Sequence, residues 1–209
     1  MVQPPPRSTV INPDCLKHEP VQGTDTDEII ELVDRALTRD RQAQFALYNR
    51  YAKAMFNVAM RMMNDYAEAE DILQEAFTDA FRRLDGFRRE VAFGAWLKTI
   101  VVNRCINALK KKRLDLSSLD SLDIERLDRG ENEAHDPASE AESMVNMGDV
   151  RSAIGALPEG YRVVFSLYAV EGYDHEEIGQ ILGITESTSK SQYHRAKKKV
   201  RSLIEAMKA

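Results

Sequence analysis

The residues with the clearest chemical meaning lie in the stretch Asp174 to Lys199, "DHEEIGQILGITESTSKSQYHRAKKK". Taken as a helix from Glu186 and turned through 100° per residue, its second half splits into two faces. Ser189, Tyr193, Ala196, Val200 and Leu203 share one side. Ser187, Lys190, Ser191, His194, Arg195 and Lys198 lie opposite. Hydroxyls, cations and one imidazole near a helix N-terminus are the groups that hydrogen-bond base edges and phosphates in a DNA major groove. A run such as Lys197, Lys198 and Lys199 on its own would read as a solvated face. The residues before it argue for more. Asp174, with Glu177 three positions on, has the form of a capping box; Ile178, Ile181 and Leu182 keep helical spacing; Gly183 suits a left-handed helix end and Thr185 can cap the next helix. The pattern is helix, tight turn, helix.

A second set of residues suited to nucleic acid lies upstream. Trp96, Asn103, Asn107 and Lys110 fall on one stripe of a helical segment, and "FRREVAF" before it adds Arg88, Arg89 and Phe93. Aromatic faces stack on unpaired bases, cations follow the backbone, and a side-chain amide reads a base edge. Periodicity alone leaves a second reading open, in which Trp96 is core and the asparagines are solvated.

The elements that must position these residues are all helical. "DEIIELVDRAL" has helical spacing; "RQAQFALYNRYAKAMFNVAMRMMND" sets Phe45, Leu47, Tyr48, Tyr51, Met55, Val58, Ala59 and Met62 at helical intervals; "AEAEDILQEAFTDAFRRLDGF" repeats the habit with Ile72, Leu73, Ala76, Phe77 and Phe81. Gly86 breaks the pattern before "AFGAWLKTIVVNRCINALKKKR", whose terminal cations suit the negative end of a helix dipole. "LPEGYRVVFSLYAVEGY" starts near Pro158, stops at Gly172 and feeds the helix-turn-helix. Met55, Met60, Met62 and Met63 read as core filling. The expected fold class is all-α: two small helical domains joined by an acidic flexible linker, the C-terminal one containing the helix-turn-helix.

Charge divides the chain in the same way. The net charge of -5 over 209 residues conceals segments of -4 (1–40), +6 (41–113), -9 (114–149) and +2 (150–209). Two basic blocks flank an acidic one that has no aromatic residue and little periodicity, the composition of a linker that cannot bury enough apolar surface to order itself. The expected division is a disordered extension over 1–24, a helical domain over 25–113, the acidic linker over 114–147 and a second domain over 148–209. No apolar run reaches the ~18 residues of a membrane span and the start has no signal-peptide core, so a cytoplasmic location without membrane insertion is expected. Cys15 and Cys105 imply no disulfide framework; Cys105 reads as a small buried hydrophobe, and Cys15 with His18 is half of a zinc spacing without a second half. No metal or cofactor is expected. Neither a nucleophile triad nor a P-loop is found, so no enzyme activity is expected.

The ordered motifs "FALYNRYAKAMFNVAMRMMND", "AEAEDILQEAFTDAFRRLDGFR", "FGAWLKTIVVNRCINALKKK", "LPEGYRVVFSLYAVEGYDHEEIGQILGI" and "STSKSQYHRAKKK" closely resemble the extracytoplasmic-function group of sigma-70-type transcription initiation factors. The resemblance covers about residues 28–113 and 148–206. It implies two domains, region 2 and region 4, that attach to core RNA polymerase and select a promoter. Region 2 would melt and capture the -10 element as single-stranded DNA, and region 4 would set its recognition helix on the duplex -35 element. By position, "DILQEAF" puts Asp71, Gln74 and Glu75 at the polymerase contact. Asn103 matches a pocket for a flipped -10 base, with Arg88 to Gly94 as its wall, and Lys190, Ser191, His194, Arg195 and Lys197 match -35 contacts. An anti-sigma factor is a further partner the resemblance leaves open. The chain departs from the family at Ser187-Thr188-Ser189, where many members read Gly-Thr-Val, and at Gln192, where many carry Arg; Gln supplies no cationic phosphate contact.

Other classes stay open on the residues alone. A helix-turn-helix regulator acting without polymerase is the main alternative. A response regulator would need alternating strands and an acidic pocket in the first half. A recombinase would need a nucleophile or a carboxylate cluster, whereas Asp71, Glu75 and Asp79 merely follow one another along one helix.

Overall fold

The computed structural model describes residues 26–117 and 146–208, with side chains described for 26–112 and 146–207. Among them there are helices and no strands, as expected. The Cys15 and His18 pair, the extension over 1–24 and nearly all of the acidic linker lie outside the described residues.

The N-terminal half holds α1 (Asp27–Leu37), α2 (Arg41–Met63), α3 (Tyr66–Arg82) and α4 (Phe93–Ser117). Each junction is set by local chemistry. The Asp40 carboxylate caps α2 by accepting from Gln42 N (2.8 Å) and Ala43 N (3.3 Å). Arg35 holds the same carboxylate at 2.9 Å, and that bond leads the effects that keep its pKa below the usual range. Asn64 closes α2 in the left-handed conformation (φ 56°), and Asp65 caps α3 through Glu68 N at 2.9 Å. α2, α3 and α4 bury Leu47, Met55, Met62, Ile72, Leu73, Phe77, Leu97, Val101 and Cys105 against one another. Desolvation pushes the Cys105 thiol up to about 12, so the group is an inert core atom. One expected core position differs: Phe45 is 65% exposed, because it stands about 200° round α2 from the buried Leu47, on the opposite face.

The C-terminal half holds α5 (Met147–Gly155), α6 (Glu159–Phe165), α7 (His175–Leu182) and α8 (Glu186–Lys208). α5 was not anticipated as an element. Its sign was Asn146, whose side chain caps it through Gly148 N at 3.1 Å. α6 runs into a π-helical turn, Ser166–Val170, before Gly172 (φ 83°) reverses the chain. α4 continues to Ser117, four residues beyond the expected boundary of 113.

Two apolar clusters organise the fold. The larger combines the N-terminal core with Val163, Val164, Leu167, Tyr173, Ile178 and Ile181 of the C-terminal half. The smaller is Ala153, Ile154 and Leu157 against Ala196 and Val200, joining the α5 region to the middle of α8. The two halves therefore touch directly, an arrangement the sequence did not suggest.

Candidate nucleic-acid interface

The helix-turn-helix is built by the capping chemistry its residues promised. The Asp174 side chain accepts from Glu177 N (2.7 Å) while Glu177 Oε2 accepts from Asp174 N (2.8 Å), a complete capping box. Gly183 ends α7 at φ 71°, and its N–H returns to Gly179 O. A side chain at Gly179 would place its Cβ 2.9 Å from Ile184 O, so only glycine lets the turn cross α7 this closely. Thr185 Oγ1 accepts from Thr188 N at 3.1 Å and starts α8.

On α8 the two faces fall as their spacing demands. Ser189, Ala196 and Val200 are buried, with Tyr193 and Leu203 half-buried, while Ser187, Lys190, Ser191, His194, Lys197 and Lys198 are exposed and Arg195 is half-exposed. Lys190 pairs with Glu186 one turn earlier at 2.6 Å, which raises its pKa. Ser191 donates back to Thr188 O at 3.0 Å. Gln192 does not stand on the exposed face with the cations. It is half-buried, lies beside Gly160 and helps line a crevice with Ile106, Leu109 and Lys110 of α4.

Behind the start of α8 lies a group that sequence reasoning missed. The His175 ring stacks on Tyr168 (centroids 4.2 Å apart, planes 11°), its Nδ1 is 2.9 Å from Ser189 Oγ, and Tyr193 packs against both rings. Desolvation, then nearby Lys190, lower the His175 pKa. The available signal was a histidine directly after a helix cap, with a tyrosine seven residues before it.

The upstream set is divided by the structure. Phe93 (0% exposed) and Trp96 (7%) are buried, and with Phe87 they form a cluster with centroids 5.1 to 5.7 Å apart. This corrects the expectation that their rings stack on bases: both faces are already covered, and the core reading of Trp96 holds. The stripe from Trp96 to Lys110 is accordingly not one solvent face. Asn103 is half-buried and hydrogen-bonded or otherwise engaged, Asn107 is exposed, and Lys110 is half-buried with its Nζ 3.3 Å from Ile181 O across the junction between the halves. Arg88 and Arg89 are exposed on the loop before α4; Arg89 has φ 61° and pairs with Asp34.

Asp71, Gln74 and Glu75 line up exposed on α3. Beneath them Arg104 of α4 pairs with Glu75 at 2.9 Å and with Asp79, to which its Nε donates at 2.8 Å. Glu75 is thus part of a network tying α3 to α4 as well as a surface carboxylate.

These features define a two-domain helical protein of the helix-turn-helix DNA-binding class. Comparison with known proteins makes the assignment narrower. Residues 47–114 match Sigma-70 region 2 and residues 147–200 match Sigma-70, region 4. The RNA polymerase sigma-H factor of Pseudomonas aeruginosa is 30% identical over 175 residues, covering 81% of this chain and 90% of that protein. The ECF RNA polymerase sigma-E factor of Escherichia coli is 29% identical over 188 residues, 87% of this chain and 96% of that protein. Among solved structures, the sigma factor RpoE from Bartonella quintana, in complex with the anti-sigma factor NepR, aligns with 77% of this chain and 95% of that one at 23% identity and a TM-score of 0.49. The chain belongs to the extracytoplasmic-function group of the sigma-70 family and is an RNA polymerase sigma factor. Among the described residues no helix is long and apolar enough to cross a membrane.

Proposed function

We propose that this sigma factor directs core RNA polymerase to promoters by splitting recognition between its halves: residues 25–113 dock the polymerase and capture the -10 element, and residues 148–209 read the -35 element. The observation that carries the reading is the outward face of α8, where Ser187, Lys190, Ser191, His194, Lys197 and Lys198 are exposed on a helix whose opposite side is buried. A helix fixed on one side and polar on the other is what a major groove accepts. Support for the polymerase contact is the exposed row Asp71, Gln74 and Glu75. For the -10 element, Asn103 with Asn107 and the Arg88–Arg89 loop supply amides and cations, while Phe93 and Trp96 hold the start of α4 from below. Segments 1–24 and 114–147 lie outside both recognition surfaces in this division.

Run-off transcription with purified core polymerase on a library of promoter fragments tests the reading. Transcript that depends on this chain is expected, with Lys190→Ala and Arg195→Ala each weakening -35 recognition by about 1–3 kcal/mol where they touch bases. Unchanged promoter preference in both variants would refute the orientation of α8.

A further inference from the structure

The first turn of α8 carries one carboxylate, Glu186, in front of the cations of the outward face. It is exposed, and its Oε1 stands 2.6 Å from the Nζ of Lys190, one turn on and also exposed. The helix start does not use that carboxylate as its cap. Thr185 Oγ1 accepts from Thr188 N at 3.1 Å, the Thr185 and Thr188 hydroxyls lie 2.8 Å apart, and Ser191 Oγ donates to Thr188 O at 3.0 Å. Ser189 Oγ is 2.9 Å from His175 Nδ1. Four hydroxyls around the turn are therefore engaged within their own domain, whereas Glu186 and Lys190 meet each other at the surface.

A recognition helix meets base edges with its N-terminal residues, so this pair is the part of α8 presented first to a groove. Towards phosphate the two charges oppose one another. Lys190 held by Glu186 displaces few counterions, and a carboxylate brought among phosphates is repelled and loses its water. A G·C pair answers both groups. Its guanine offers O6 and N7 to an ammonium, and its cytosine offers the N4 amino group to a carboxylate, side by side in the major groove. In an A·T pair the place of cytosine N4 is taken by thymine O4, an acceptor that faces a carboxylate with like polarity.

We propose that Glu186 is a specificity-determining residue for the -35 element, accepting from cytosine N4 at one G·C pair while Lys190 donates to the guanine of that pair. The assignment rests on the -35 reading of α8 proposed above. Its discrimination comes from rejection as well as attraction: a sequence with no donor at that place leaves a desolvated carboxylate unsatisfied.

Run-off transcription with core polymerase and the full-length chain, on promoters varied at each -35 position in turn, tests it. Wild type should require cytosine at one position, with at least about fivefold less transcript when that G·C pair becomes A·T. In Glu186→Ala the ratio should fall below about twofold at that position alone, because no group is left to read it. Glu186→Gln, whose amide can donate to thymine O4 or accept from cytosine N4, should accept both pairs. Holoenzyme carrying Glu186→Ala should also lose promoter affinity more steeply with salt, by about one in the log–log slope, since Lys190 then neutralises a phosphate. A carboxylate at a helix start also suits the dipole. A role confined to that would lower the melting temperature of Glu186→Ala and leave every base preference in place, which overturns the assignment. It is overturned too, with the orientation of α8 intact, if Lys190→Ala or Arg195→Ala shifts a preference and Glu186→Ala shifts none. If none of the three shifts any, the -35 reading of α8 falls and the assignment with it.

Discussion

Replacing Arg104 by Met should weaken the N-terminal domain by about 2 kcal/mol, and the structure shows where that figure comes from. Asp79 is 9% exposed at its side chain, Arg104 34%, and Glu75 60%. Loss of the partner of a fully buried carboxylate costs about 3–5 kcal/mol, whereas an exposed pair is worth about 0–1 kcal/mol. Asp79 belongs near the first class and Glu75 to the second. Part of the loss is recovered because Arg82 stands 3.8 Å from Asp79, although its side chain is 72% exposed and well screened. Urea unfolding followed by circular dichroism is the assay, and with a slope of about 2 kcal/mol per molar the midpoint should fall by about 1 M. The companion variant Arg104→Met with Asp79→Leu removes both charges and should be more stable than Arg104→Met alone, since no buried carboxylate is left unpaired. A single variant within about 0.5 kcal/mol of wild type, or a double variant showing the sum of two single losses, would refute the view that Asp79 is held in place by Arg104.

Asp71→Ala with Glu75→Ala should lower affinity for core polymerase without loss of helicity, since both side chains are exposed; an unchanged pull-down titration would remove α3 from the docking surface. Asn103→Ala should leave closed-complex binding intact and reduce permanganate reactivity at unpaired thymines, because a base pocket acts only after a few kcal/mol of unstacking have been supplied; equal reactivity would return Asn103 to a structural role. The His175 pKa is lowered in the folded chain, so the unfolded chain binds the proton more readily, and stability present above the ordinary value near 6.5 is lost as pH falls through the lower folded value. His175→Gln should flatten that dependence of the melting temperature, and an unchanged acid limb would show that other groups cause it.

Much of the fold was legible because its signals are local. Asp174, Glu177, Gly183 and Thr185 name their own structure: each capping interaction lies within a few residues of chain, and the structure contains each of them. The split of α8 into buried and exposed faces was legible for the same reason. What could not be read was whatever a second element decides. Trp96 has the same periodicity whether it stacks on a base or on Phe87, and only the position of the loop before α4 chooses between them. Phe45 keeps helical spacing yet faces solvent, since it lies on the side of α2 away from the buried Leu47. Gln192 looked like a weakened phosphate contact, but its neighbour is Gly160, 32 residues away in sequence, so Gln192→Arg would perturb the crevice against α4 before it affected DNA. Glu171 pairs with Arg61 and Lys98, which lie far from it in sequence, and nothing in their local patterns marks them as partners.

The division of the apolar core bears on how the chain comes to be folded during synthesis. Apart from the small cluster that joins α5 to α8, the helix-turn-helix completes its interior against α2 and α4, with Val163, Leu167, Ile178 and Ile181 counted in the N-terminal core. A module of about sixty residues is marginal on its own, and domains emerging from the ribosome fold N-terminal half first. The earlier half is therefore already in place as a template when α6 and α7 appear, shielding their apolar side until the chain is complete. A C-terminal fragment cleaved from the rest would expose the apolar side of α6 and α7 to water.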